Sequence, residues 1–221
     1  MHLTRAKASK RLPIPRKKTK YLARASNHSK EGISVIIAVR DLLGLAKTSK
    51  EVKEMVKGKK LKINGKVVKD IKEGIRLFNL LEADKKYKLG ILKTGRYFLE
   101  EVNDNSTLHK VIGKKVLKGK KTQFNLHDGY NIILNEKINT GDSVELDLAG
   151  KLKSIKKFEK GKKVIVISGK SVGLKGKIED VKNDKTKIKL EEREDLVELE
   201  KDHVVVIWIQ KWEEQELAKL S

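Results

Sequence analysis

Apolar residues at Ile33, Ile36, Ile37, Val39, Leu42 and Leu43 recur close to the helical period, with Gly44 placed to cap a C-terminus. The spacing predicts a helix over Gly32 to Leu45. Thr48-Ser49-Lys50-Glu51 follows, an N-cap hydroxyl with a Glu that can return the hydrogen bond, so a short second helix is expected to about Val56, closed by Gly58. From Lys60 to Val68 basic and apolar residues alternate around Asn64-Gly65, the pattern of a tight hairpin. After Lys85 the pattern is of strands alone: Tyr87 to Leu92, Tyr97 to Val102, Leu108 to Val116, Gln123 to Leu126, Asn131 to Leu134 and Ser143 to Leu148, separated by Gly, Asn and Asp turns. Near the end, one strand precedes a glycine-rich stretch and another follows it. Val181 to Leu190 and Leu196 to Ile209 would then close a small barrel, and Trp212 to Leu220 reads as a short helix.

Charge changes this picture most. Lys and Arg number 52 against 30 Asp and Glu, a net +22, and the pI of about 9.9 points to a polyanionic partner. Residues 1–30 hold ten of the cations and no acid. Such a segment cannot bury enough apolar surface to offset its chain entropy, so it is expected to order only against an anion. Pro13 and Pro15, the two prolines of the chain, favour an extended path through it. Residues 191–221 carry ten acids and four bases; subtracting +10 and −6 from +22 leaves +18 for residues 31–190. The C-terminal edge is therefore expected to face away from nucleic acid. A membrane would need an apolar span or a bulky amphipathic face, and the longest apolar runs, Val204 to Ile209 and Val164 to Ile167, have the length of strands. A cytoplasmic protein is expected.

The candidate chemistry is that of phosphate contact. The arm offers Arg5, Lys7, Lys10, Arg11, Arg16, Lys17, Lys18, Lys20 and Arg24. At period two, Lys60, Lys62 and Lys66 of the hairpin are expected on one face. In Gly161 to Ile178 the glycines allow close backbone approach, and Lys170, Lys175 and Lys177 can neutralise phosphates. Gly169-Lys170-Ser171 resembles the end of a P-loop, but Val164 stands where the first glycine belongs, and Gly173 and Gly176 deny the helix that must follow. ATP or GTP binding is rejected. His127-Asp128 invites a catalytic reading, yet no nucleophile sits in a recognisable motif and Asp128-Gly129 suffices as a turn. Cys is absent and the five histidines form no metal-ligand pair at the usual spacing, so neither metal nor cofactor is expected.

Two helices followed by a lysine-bearing hairpin, with Ser49-Lys50 opening the second helix, resemble the S-four RNA-binding domain over about Val35 to Ala83. The alternating strand, glycine loop and Gly-x-Ile ending of Gly161 to Ile178 resemble the KOW motif. With His127-Asp128-Gly129-Tyr130-Asn131 between them, Arg11-Leu12-Pro13-Ile14-Pro15-Arg16-Lys17 in the arm and Val39-Arg40-Asp41-Leu42-Leu43-Gly44 in the first helix, the order resembles the archaeal and eukaryotic S-four-e family of small-subunit ribosomal proteins over roughly residues 2–207. The resemblance implies a multi-domain α+β protein: a basic arm (1–32), a small S-four-like α+β domain (33–86), a β-barrel-like central domain (87–158), an SH3-like KOW barrel (159–209) and a C-terminal helix (210–221). It implies a structural role without enzymatic activity, and adds Arg40, Ser49 and Lys50 to the RNA-binding set. Small-subunit rRNA and neighbouring ribosomal proteins are the expected partners, with no membrane, small-molecule substrate or self-association. An RNA-modifying enzyme carrying an S-four domain would need a catalytic domain, and no room remains for one. A free KOW-type transcription or translation factor would bear the same motifs away from ribosomes.

Overall fold

The computed structural model describes residues 3–26, 32–182, 185–191 and 196–207. The expected helix at 210–221 lies outside them. The chain divides into two compact units, Met1–Thr107 with Asp147–Lys151, and Leu108–Leu146 with Leu152–Ser221. The boundary expected near 86 falls within one sheet, whose strands lie on either side of that residue.

In the first unit, β1 (Leu3–Thr4) and β2 (Tyr21–Leu22) pair antiparallel. The arm therefore doubles back on itself, where an extended segment without structure of its own was expected. Its fastening is the Arg5 side chain: Nε donates to Thr19 O at 2.7 Å, Nη2 to Thr19 Oγ1 at 3.0 Å, and Nη1 to Pro15 O. The carbonyl of Arg11 accepts from Tyr97 N at 2.8 Å, which ties the loop to the body of the unit.

The first predicted helix starts late. Gly32–Ser34 forms β3, which pairs with β6 (Gly74–Arg76). A Cβ on Gly32 would stand 2.4 Å from the Ile75 carbonyl oxygen, so close strand pairing, not helix, uses this glycine. Ile37–Leu42 follows as a π-helical turn with Ile37, Ala38 and Val39 buried, and Gly44 closes it at φ +67. The helix α1 (Ser49–Lys57) forms where expected. Thr48 Oγ1 accepts from Glu51 N at 3.3 Å, while the Glu51 carboxylate reaches back to Lys47 N at 2.8 Å. Gly58 is its C-cap, but the left-handed residue is Lys59, at φ 54.

Strands β4 (Lys62–Ile63) and β5 (Lys66–Val67) form the hairpin, with Asn64 at φ 49 and Gly65 at φ 78, both central residues left-handed as a two-residue turn of this kind requires. The hairpin joins β7 (Leu80–Glu82), β8 (Lys86–Ile91) and β9 (Tyr97–Glu101) in the order β5-β4-β7-β8-β9. Asn64 Oδ1 accepts from Leu80 N at 2.8 Å, pinning the turn to β7. Leu61, Ile63, Leu80, Leu81 and Leu89 are buried within this unit.

The second unit holds most of two five-stranded sheets. One comprises β10 (Ser106–Val116), β11 (Thr122–Leu126), β12 (Asn131–Leu134), β13 (Ser143–Asp147) and β14 (Leu152–Lys156), ordered β12-β11-β10-β13-β14. Its core is Val111, Phe124, Leu126, Ile138, Val144 and Leu146. The other comprises β15 (Lys163–Val166), β16 (Lys175–Lys182), β17 (Lys185–Leu190), β18 (Leu196–Glu200) and β19 (Val204–Val206), ordered β18-β17-β16-β15-β19. Val164, Val166, Ile178, Ile188, Leu190, Val204, Val206 and Phe158 fill its interior. The strand expected over Val181 to Leu190 is divided between β16 and β17, and that over Leu196 to Ile209 is broken by a 3-10 turn at Lys201–His203. Strands β6, β7 and β14 have no counterpart in the sequence expectation, being short or only partly alternating.

Candidate nucleic-acid interface

The described cations of the arm fall into two groups, exposed and half-buried. Lys7, Lys10, Arg16, Lys17, Lys18 and Lys20 are exposed. The Lys20 ammonium also lies 5.5 Å from the Tyr21 ring centroid. Arg5 spends its guanidinium on the arm's own backbone, so it holds the loop rather than presenting charge outward. Arg11 and Arg24 are half-buried. A groove of about 510 Å³ opens within this unit, with Arg5, Ile14, Pro15, Lys18, Arg40 and Lys47 in its wall. Lys47 is a wall residue the sequence reading did not single out.

Arg40 forms a two-pronged bond to Asp41, at 2.9 and 2.7 Å, and its Nη1 donates to Ser49 Oγ at 3.2 Å. That bond links the first helix to the start of α1, where Lys50 stands exposed. On the hairpin, Lys60 and Lys62 are exposed and alternate with buried Leu61 and Ile63. Lys66 departs from the expected single face. The two-residue turn sets it opposite Ile63 while Lys62 faces Val67, and cross-strand partners leave a sheet on the same side. Lys66 therefore rises from the other side of the ribbon, at its exposed tip.

In the last sheet the glycine stretch is a loop between two strands, and β16 stands where a P-loop would require a helix. Gly169 (φ +91) and Gly173 (φ +86) take left-handed conformations on either side of exposed Lys170. Gly176 meets a different need: a Cβ there would lie 2.6 Å from Lys189 O and 2.7 Å from Ile188 Cγ2. Lys175 is half-buried and Lys177 exposed.

The His127-Asp128 pair proves to be part of a buried network whose other members the sequence did not reveal. His109 Nδ1 lies 2.9 Å from Asp128 Oδ2, with both side chains almost fully buried. Asp128 Oδ1 accepts from Tyr130 N at 3.1 Å, and His127 Nδ1 accepts from Lys110 N at 3.1 Å. Burial works to raise the Asp128 carboxyl, but hydrogen bonding to His109 and nearby imidazole charge outweigh it and hold the group below its ordinary value. These three residues can offer ligand atoms within 4.8 Å of one another. Because His127 Nδ1 receives a backbone N–H, however, its neutral ring carries the proton on Nε2, where a metal would have to bind. Hydrogen bonding suits the cluster better than a cation. Neighbouring Lys110 is buried, and its Nζ donates to Lys201 O at 2.6 Å. Burial, the largest influence, pulls this ammonium down to about 8, with Asp202 opposing and Lys201 assisting. With one Asp128 oxygen on the Tyr130 amide and the other on His109, the network orders a turn and does not assemble a nucleophile.

Comparison with known proteins agrees with this geometry. The family described as Ribosomal family S4e matches residues 83–152, and the S4 domain matches residues 42–77. The small ribosomal subunit protein eS4 of Archaeoglobus fulgidus is 34% identical over 189 residues, covering 82% of this chain and 80% of that protein. Its counterpart in Methanocella arvoryzae is 33% identical over 189 residues, covering 82% and 81%. In fold, the crystal structure of the 30S ribosomal protein S4e from Thermoplasma acidophilum matches with a TM-score of 0.69 at 23% identity, over 82% of this chain and 97% of that one. An arm, an S4 domain and a β-rich remainder thus define an RNA-binding protein class with several small modules. The chain belongs to the S4e family of small-subunit ribosomal proteins.

Proposed function

We propose that this protein is a structural constituent of the small ribosomal subunit, without catalytic activity, that binds rRNA through its basic arm, its S4 domain and a KOW-type last sheet, in the cytoplasm. One observation carries the reading: exposed cations recur in both units, on arm, helix α1, hairpin and the 167–174 loop, while the buried His109-Asp128 pair is closed off from any substrate. Phosphate contacts by Lys and Arg release counterions, so docking on folded RNA is electrostatic and reads shape and backbone. With 5% aromatic residues, stacking on unpaired bases is a minor mode. Neighbouring ribosomal proteins are its further partners, and it has no membrane or small-molecule ligand and does not self-associate.

Sedimentation of a cell lysate tests the reading. The protein should travel with small subunits, leaving little in the free fraction. A predominantly free pool would favour the KOW-type transcription or translation factor instead. Binding to small-subunit rRNA should also weaken steeply between low and physiological salt; an association constant flat over that range contradicts the mechanism.

A further inference from the structure

We infer that Lys163, Lys177 and Lys189, a row running across three strands of the last sheet, form a second landing line for the phosphodiester backbone of RNA, separate from the glycine loop. The inference rests on the rRNA-binding reading and names a face that performs it. The register makes these residues direct neighbours: Lys163 pairs with Lys177, and Lys177 with Lys189. On either side along the strands, Val164, Gly176, Ile178, Ile188 and Leu190 are buried, so the lysines project from the outer face. At about 4.8 Å between strands the row is about 10 Å long, the form of a phosphate line and not of a pocket for one anion.

The same sheet shows that this row is special. Lys187 faces Asp180 on one side and Glu198 on the other. Lys185 lies 3.8 Å from Glu198, and Lys182 lies 3.9 Å from Asp180. Those lysines are matched by carboxylates within the fold. The row instead ends on Leu196, opposite Lys189, with no acid as a cross-strand partner. Lys163 is likewise paired, 3.7 Å from Glu191, so the contrast with the matched lysines rests on Lys177 and Lys189. Like charges placed directly opposite destabilise a sheet, so a three-lysine row is a local loss of stability that an RNA backbone would relieve.

The test compares two full-length triple variants of equal charge. One carries Lys163→Gln, Lys177→Gln and Lys189→Gln; the other carries Lys182→Gln, Lys185→Gln and Lys187→Gln. Binding of a labelled small-subunit rRNA transcript is measured across a salt series. The row variant should flatten the slope of log K against log salt by about two to three, roughly one for each phosphate no longer neutralised, and the matched-lysine variant by less than about one. Thermal melting supplies a second readout, in which the row variant should melt no lower than the wild type because repulsion is relieved. If the triple misfolds, Lys189→Gln alone should flatten the slope by about one. Equal slopes for the two triples, or an unchanged slope for the row variant, overturn the inference while leaving rRNA binding intact. A wild-type protein whose binding ignores salt overturns both.

Discussion

Lys110 and Asp128 are the residues whose burial has the most measurable consequence. With its ammonium pulled down to about 8 from an ordinary 10.5, Lys110 in the folded protein releases a proton that the unfolded chain still holds between those values. Stability from this group is at its lowest below pH 8, where both states are protonated, and it rises with pH across the window by at most about 1.4 kcal/mol per unit. Lys110→Met should remove that rise, read as the difference between the two proteins' denaturation curves from pH 7 to 10. An identical rise in the variant would mean that Lys110 is not the group responsible. Asp128 acts in the same sense, over an acid window. Its folded value is lowered, so its contribution is present above the ordinary carboxylate value and is lost as pH falls through the folded one. Asp128→Asn should cost about 1–3 kcal/mol at neutral pH, a buried hydrogen-bonded acceptor lost, and the deficit should shrink in acid. Neither partner was legible in the sequence. His109 and Lys110 sit in an ordinary alternating strand, and only the pairing of β10 with the Leu126–Tyr130 turn brings them to His127 and Asp128.

Elements show where sequence periodicity suffices and where it does not. Helix α1 and the Asn64-Gly65 hairpin were readable because their signals are local: a capping hydroxyl, a Glu three residues on, and two residues that tolerate positive φ. The start of the first helix was not, because Gly32 owes its conformation to a strand more than forty residues away, and no helical period records that. Lys66 shows the same limit: spacing assigns faces within one strand, but the turn decides how two strands compare. In β16, Gly176 carries a purely tertiary requirement. Gly176→Ala should lower stability by about 1–3 kcal/mol, since the new methyl meets the Lys189 carbonyl and Ile188 within the core of a paired sheet. Gly113→Ala is the matching control. Its nearest neighbour would be the Asn125 amide nitrogen at 3.6 Å, an ordinary contact, and the loss of glycine flexibility should leave stability unchanged or raise it by up to about 1 kcal/mol. Chemical denaturation of both variants distinguishes local crowding from a general intolerance of substitution in these strands.

At the scale of the molecule, charge was the property most legible from sequence, and its distribution the least. Ten cations without an acid in residues 1–30 implied a segment waiting for a polyanion, yet Arg5 turns inward and folds residues 3–22 into a closed loop that presents Arg16, Lys17 and Lys18 together. Arm binding should therefore depend on shape as well as on charge count. Deleting residues 1–30 should flatten the salt slope of rRNA binding by roughly 0.7–0.9 for every phosphate the arm neutralises. The core should melt at nearly the wild-type temperature, because among the described residues every buried one but Ala25 lies outside the arm. Arg5→Lys separates the two contributions: it keeps the charge but offers no planar fork for the Thr19 and Pro15 carbonyls. Loading of this variant into small subunits should fall well below wild type, toward that of the deletion. If it loads normally, charge alone serves the arm and the closed loop has no part in binding; if it fails as expected, a single inward guanidinium organises the outward cations around it.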